Sequence, residues 1–163
     1  MTSSTSPEAR LSELGIVLPD LSAAAAAPNP FAANNVPAVR TGNLVFLSGN
    51  IGVGPDGERI AGKMGRDLSI EQGYDAARQA GIRLLARLKA ELGSLDEVTR
   101  IVKVVAFVNS MPDFTDPPRV ANGASDLFTD VFGENGKHAR SAVGVATLPG
   151  GAPVEVEMVV EVR

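Results

Sequence analysis

Three polar residues near the end of this 163-residue chain have side chains suited to chemistry on a small anion: His138, the one histidine, Arg140 two places on, and Glu155. A guanidinium at the start of a strand, reached through the glycine-containing loop "FGENGKHAR", can take a carboxylate in two parallel N–H···O bonds. A glutamate can accept a proton from water. If Arg140 and Glu155 meet in space, they can hold a small anion and a water; if they do not, they are ordinary strand-end charges worth little. Spacing alone leaves both readings open. His138 ionises near neutral pH and can serve as acid or base. With no Asp or Ser partner visible beside it, it reads as a loop or subunit-contact residue before a catalytic one.

Other chemistries are narrowed by what the chain lacks. With no cysteine there is no disulfide framework, thiolate nucleophile or cysteine-held metal, and a lone histidine argues against a histidine metal cluster; carboxylate-only Mg or Ca sites stay formally open, but no Asp/Glu run has the spacing of a calcium loop, so no metal is expected. "GERIAGK" at 57–63 has the GxxxxGK part of a phosphate loop, but Met64 stands where a Ser or Thr hydroxyl would hold Mg, and the segment follows a Pro-Asp-Gly turn instead of opening a helix. A net charge of −4 gives no general attraction to nucleic acid or anionic membrane. No window approaches the roughly 20 apolar residues of a membrane span, and "AAAAA" at 23–27 is too short for a signal sequence. The expectation is a cytoplasmic protein with neither nucleic-acid nor membrane partners.

The elements that must position these residues follow from periodicity. "AVRTGNLVFLSGNIGV" reads as a hairpin turning at Thr41, Gly42 and Asn43. "ERIAGKMG" reads as a third strand after the turn "GPDG". "SIEQ" at 69–72 is a capping box, and behind it Ile70, Ala77, Gly81, Leu84, Leu85, Leu88 and Leu92 recur at helical spacing until Gly93. The Val-rich run 100–110 is a buried strand, "MPDFTDPP" a loop, and "VANGASDLFTDVFG" a second helix ended by Gly133. Strands over 141–147 and 154–162 close the chain. In the last one, Glu155, Glu157 and Glu161 share one face, and Val154, Val156, Met158, Val160 and Val162 the other. Residues 1–33, rich in Ser, Ala and Pro, read as a short helical or extended arm and a flexible lead-in, and 34–163 as one domain.

At 44% apolar and only 4% aromatic residues, the core must be built from Val, Leu, Ile and Ala. The pattern predicts an α+β fold, a mixed β-sheet with both helices on one face. The other face needs a cover, and self-association would supply it.

"GNLVFLSGNIG", "KVVAFVNSMPDF" and above all "ARSAVGVATLPGGAPVEVEMVVEV" resemble the RidA/YjgF family of enamine and imine deaminases, older members of which carry the label endoribonuclease L-PSP. The likeness runs from about residue 34 to the C-terminus. It implies a chorismate-mutase-like (bacillar) fold, a homotrimeric barrel with helices outside, and clefts between subunits. The implied reaction is hydrolysis of 2-aminoacrylate-type enamines and their imine tautomers to 2-oxo acids and ammonia, without a cofactor. The resemblance places carboxylate binding on Arg140 and water orientation on Glu155. It puts Ser48, Gly49 and the backbone at Ala142 along the cleft. Asn35 stands where the family has a cleft tyrosine, while Tyr74 falls on the first long helix. The family's cleft asparagine corresponds to Asn122, or is replaced by Ser125, and His138 stands where the family often has proline. A trimer that binds a small carboxylate without turning it over is the alternative. A ribonuclease fits poorly with an acidic chain lacking interleaved aromatic and basic residues.

Overall fold

The structure, a computed structural model, describes residues 6–21, 34–54 and 57–163. In chain order it forms α1 (Pro7–Glu13), β1 (Ala38–Thr41), β2 (Leu44–Ile51), α2 (Ile70–Leu92), β3 (Val98–Asn109), α3 (Pro117–Phe132), β4 (Ala139–Val145) and β5 (Val154–Val162), with single 3₁₀ turns at Leu95–Glu97, Gly133–Gly136 and Pro149–Gly151. The long helix follows its signals closely. Ser69 and Gln72 form both halves of the capping box, 23 residues are helical, and Gly93 closes the helix at φ 82°.

The five strands lie in the order β1-β2-β5-β3-β4, with β3 and β4 parallel and every other pair antiparallel. Parallel neighbours need a crossover, and α3 supplies it between β3 and β4. The valine face of β5, with Ile101, Val104, Ala106 and Val108 of β3, packs on Leu84, Leu85 and Leu88 of α2 and on Val120, Leu127 and Phe128 of α3. Among the described residues no helix packs on the opposite face. There Val39, Phe46 and Val143 remain 55, 44 and 45% exposed, an apolar surface left open in the single chain.

Two expectations are corrected. The third strand does not form: residues 57–65 make only isolated bridges, Val53 with Arg59 and Met64 with Leu68 and Ser110. The reason is Lys63, whose ammonium donates to Asn109 Oδ1 (2.6 Å), Ala146 O (2.6 Å) and Ser110 O (3.4 Å), while Met64 is fully buried beside Gly73. The segment is drawn in as a clamp across the ends of β3 and β4 instead of being laid along β2. The second correction is that the helix α3 begins three residues early. Pro117 and Pro118 occupy its first turn, where a missing N–H costs nothing.

The described part of the N-terminal arm, residues 6–21, carries the helix α1 and docks on the domain. Ser6 caps α1, Leu11 is 5% exposed in the core, and Glu8 accepts from Lys89 Nζ (2.7 Å) and the Leu95 amide (3.0 Å). The flexible lead-in expected up to residue 33 falls mainly on 22–33, outside the described residues. No helix of the described residues is long and apolar enough to cross a membrane.

Candidate active site

Arg140 lies on the edge strand β4 in a row with Val104, Met158 and Leu47, all three buried, so its side chain rises on the helix side of the sheet beneath α3. Nη1 donates to Asn122 Oδ1 (2.9 Å) and Ser125 Oγ (3.0 Å), and Nη2 donates to the Pro118 carbonyl (3.3 Å). Residues 118, 122 and 125 form one stripe of α3, which fixes where their acceptors stand. These three bonds use three of five guanidinium donors. Among the described residues Arg140 has no carboxylate partner. Its Nε–H and the second Nη2 hydrogen make no hydrogen bond among the described residues.

His138 enters the same cluster from the turn before β4. Its Nε2 is 2.9 Å from Ser125 Oγ, its Nδ1 is 2.6 Å from the Gly136 carbonyl, and its ring packs in a T-shaped arrangement with Phe128, centroids 5.9 Å apart and planes at 73°. Burial, helped by the Arg140 charge, pushes its pKa below the ordinary value, with the Gly136 bond acting the other way. Gly136 itself is wedged under the Phe128 carbonyl, with no room for a Cβ.

Glu155 belongs to a second cluster. It shares a row with Phe107, Val143 and Ile51, which points away from the helices, so in one chain it lies on the opposite face from Arg140 and two strands distant. The two do not meet within the chain. Glu155 folds over Gly49, and its carboxyl pKa is raised by burial first and by the Glu157 charge second. Beside Gly49, the Ser48 hydroxyl donates to the Val36 carbonyl (2.7 Å), next to the exposed Asn35.

The sequence-named residues thus divide into Arg140, Asn122, Ser125 and His138 on one side and Glu155, Gly49, Ser48 and Asn35 on the other. Ala142 pairs with Ala106 and turns its methyl group to the core. Tyr74 joins neither group, donating to Asp126 Oδ2 at 2.9 Å. Sequence reasoning missed the Pro118 carbonyl, although the spacing 118, 122, 125 was a legible helical stripe. It also missed Gly136, whose signal was only a second glycine before the histidine. Among the described residues, no three His, Asp or Glu side chains are grouped as a metal site.

The family model described as Endoribonuclease L-PSP matches residues 24–162. The chain is 47% identical over 156 residues to Protein TCP17 of Trypanosoma cruzi, covering 95% of this chain and 93% of that protein. It is 33% identical over 127 residues to the 2-iminobutanoate/2-iminopropanoate deaminase of Dermatophagoides farinae, covering 77% and 84%. The crystal structure of the protein Atu1372 from Agrobacterium tumefaciens superposes with a TM-score of 0.84 at 39% identity, covering 96% of this chain and 94% of that one. The chain belongs to the endoribonuclease L-PSP family, the RidA/YjgF family of the sequence resemblance.

Proposed function

We propose that the protein is a cytoplasmic homotrimer with a chorismate-mutase-like barrel that hydrolyses 2-imino acids and their enamine tautomers to 2-oxo acids and ammonia, without a cofactor. The observation that carries this reading is Arg140: a guanidinium held at both terminal nitrogens by neutral oxygens, with no bond at Nε and no carboxylate of its own among the described residues. That is a receptor for a carboxylate brought by a ligand. Further support comes from the open apolar face, which a second copy would cover, and from the relative named as an imine deaminase. In this reading residues 34–163 are the catalytic unit and 1–33 an extension of it.

Because Arg140 and Glu155 occupy opposite faces, the site is completed between copies, Arg140 from one and Glu155 from its neighbour. Arg140 holds the substrate carboxylate. Glu155, its affinity for a proton raised by burial, takes one from water as the oxygen adds to the C=N carbon, then returns it to nitrogen. The hydroxyl proton of the tetrahedral carbon then passes through Glu155 to the amine nitrogen, the C–N bond breaks, ammonia leaves and a C=O forms. Positioning supplies much of the rate, since the C=N carbon is already electrophilic.

The test is ammonia release from 2-aminoacrylate generated by a serine dehydratase. The expected outcome is acceleration by the wild type, none by Arg140→Ala or Glu155→Gln alone, and partial recovery when the two variants are unfolded and reassembled together. Binding of 2-oxo acids with no turnover in an assembled trimer would favour the alternative, a carboxylate-binding protein. The absence of a tyrosine from both clusters is the observation on that side.

A further inference from the structure

A guanidinium that must present one edge to a ligand needs its other edge held by acceptors, and a serine hydroxyl accepts from it only when its own hydrogen is directed elsewhere. At Ser125 the other direction is His138. A carbonyl oxygen only accepts, so the 2.6 Å contact to Gly136 places the ring hydrogen on Nδ1. A neutral imidazole has one ring hydrogen, which leaves a lone pair on Nε2. The Ser125 hydroxyl, 2.9 Å away, points its hydrogen at that lone pair and offers its own oxygen to Arg140 Nη1 at 3.0 Å. The bonds run one way, from Arg140 to Ser125 to His138 to the Gly136 carbonyl.

We propose that His138 is a positioning residue for Arg140: as a neutral imidazole protonated at Nδ1, it fixes the Ser125 hydroxyl as an acceptor and so turns the Nε–Nη2 edge of the guanidinium toward the incoming carboxylate. This rests on the reading of Arg140 as carboxylate anchor. Three groups facing the ring favour the neutral form or a hydrogen on Nδ1: Ser125 from α3, the Gly136 carbonyl from the turn, and the Arg140 charge from β4. The Phe128 ring of α3 packs against it at 5.9 Å. The neighbouring Lys137 is turned away to Glu134 at 2.7 Å. Among the described residues no carboxylate is hydrogen-bonded to the ring to hold an imidazolium. A protonated or Nε2–H ring would present a donor to the serine, whose hydrogen would then oppose the guanidinium.

Because the chain has one histidine, its ring gives a single set of signals in a ¹⁵N-histidine spectrum, and the tautomer is read directly. The expected result at neutral pH is the Nδ1–H form; an Nε2–H ring or an imidazolium overturns the proposal. The second arm is titration with pyruvate. His138→Phe keeps a ring against Phe128 and removes the acceptor. It is expected to weaken pyruvate binding about fivefold to tenfold, the scale of one charge-assisted hydrogen bond. Ser125→Ala should lose a similar factor, the double variant no more than Ser125→Ala alone, and His138→Gln, with an amide oxygen near the Nε2 position, should return to within about twofold of wild type. Additive losses, or a His138→Phe protein that melts earlier but binds pyruvate normally, would leave His138 a packing residue only. If the wild type itself fails to bind pyruvate, the carboxylate reading fails. The Arg140 Nη resonances then decide the positioning claim: separate in the wild type and averaged in His138→Phe if it holds, unchanged between the two if it does not.

Discussion

Glu155 folds so closely over Gly49 that a Cβ at position 49 would overlap its Oε1 carboxylate oxygen. Gly49 lies in the register shift of β2 between Leu47 and Asn50, and its φ is not in the left-handed region, so the requirement is for space alone. Gly49→Ala is therefore expected to fold, at a cost of about 1 to 2 kcal/mol, and to push the carboxylate aside. Ammonia release should fall at least tenfold while pyruvate binding to Arg140 is kept. Unchanged turnover would mean that the place of Glu155 over Gly49 has no part in the reaction.

The raised pKa of Glu155 gives stability a definite slope. Burial and then Glu157 hold its carboxyl above the ordinary value of 4.5. Between the two values the folded chain binds more protons than the unfolded one, so this group's contribution falls as pH rises through that window. Glu155→Gln removes the slope, and at pH 7 the variant should be more stable than wild type, with the gap closing below the ordinary carboxylate range. Urea denaturation of both proteins across pH 3 to 8 measures it; a wild type that gains on the variant as pH rises would refute the assignment.

The N-terminal arm contributes through Leu11 and Glu8. Leu11→Ala empties a buried site and is expected to cost about 2 to 3 kcal/mol. For Glu8, burial pushes the pKa up, but the bonds from Lys89 and the Leu95 amide outweigh it and leave the carboxyl below its ordinary value. Its contribution is present above the unfolded value and lost as pH falls through the folded one. Glu8→Gln should accordingly be weaker than wild type at pH 7 and indistinguishable from it in strong acid, by the same urea measurement.

The long helix and the alternating last strand were legible because their signals are local: a capping box, a 3.6-residue stripe and a period of two. The absent third strand was not, because Lys63 is satisfied by oxygens from residues 109, 110 and 146, which no nearby pattern reveals. The proline pair in "MPDFTDPP" has a loop's composition, although proline at a helix start is equally good chemistry. At the site, the residue types at Arg140 and Glu155 were readable, but their faces were not. Which face each side chain takes depends on the pairing of β3 with β4 and β5, a long-range property. The Ser125–His138 contact likewise joins residues separated by a helix end and a turn.

Among the described residues of one chain, the strand that carries Arg140 has a sheet neighbour on one side only, so its pairing with β3 alone sets its register within the sheet. A slip of one residue would exchange Arg140 with Ala139 or Ser141 and aim the guanidinium at the wrong side of the sheet. Gly136 under the Phe128 carbonyl holds the entry to this strand, and the Lys63 ammonium on the Ala146 carbonyl holds its exit. The molecule thus measures β4 from both ends, as a ruler is clamped. Length-changing mutations between 136 and 146 should therefore be far more damaging to ligand recognition than point substitutions on the outward side of the same strand.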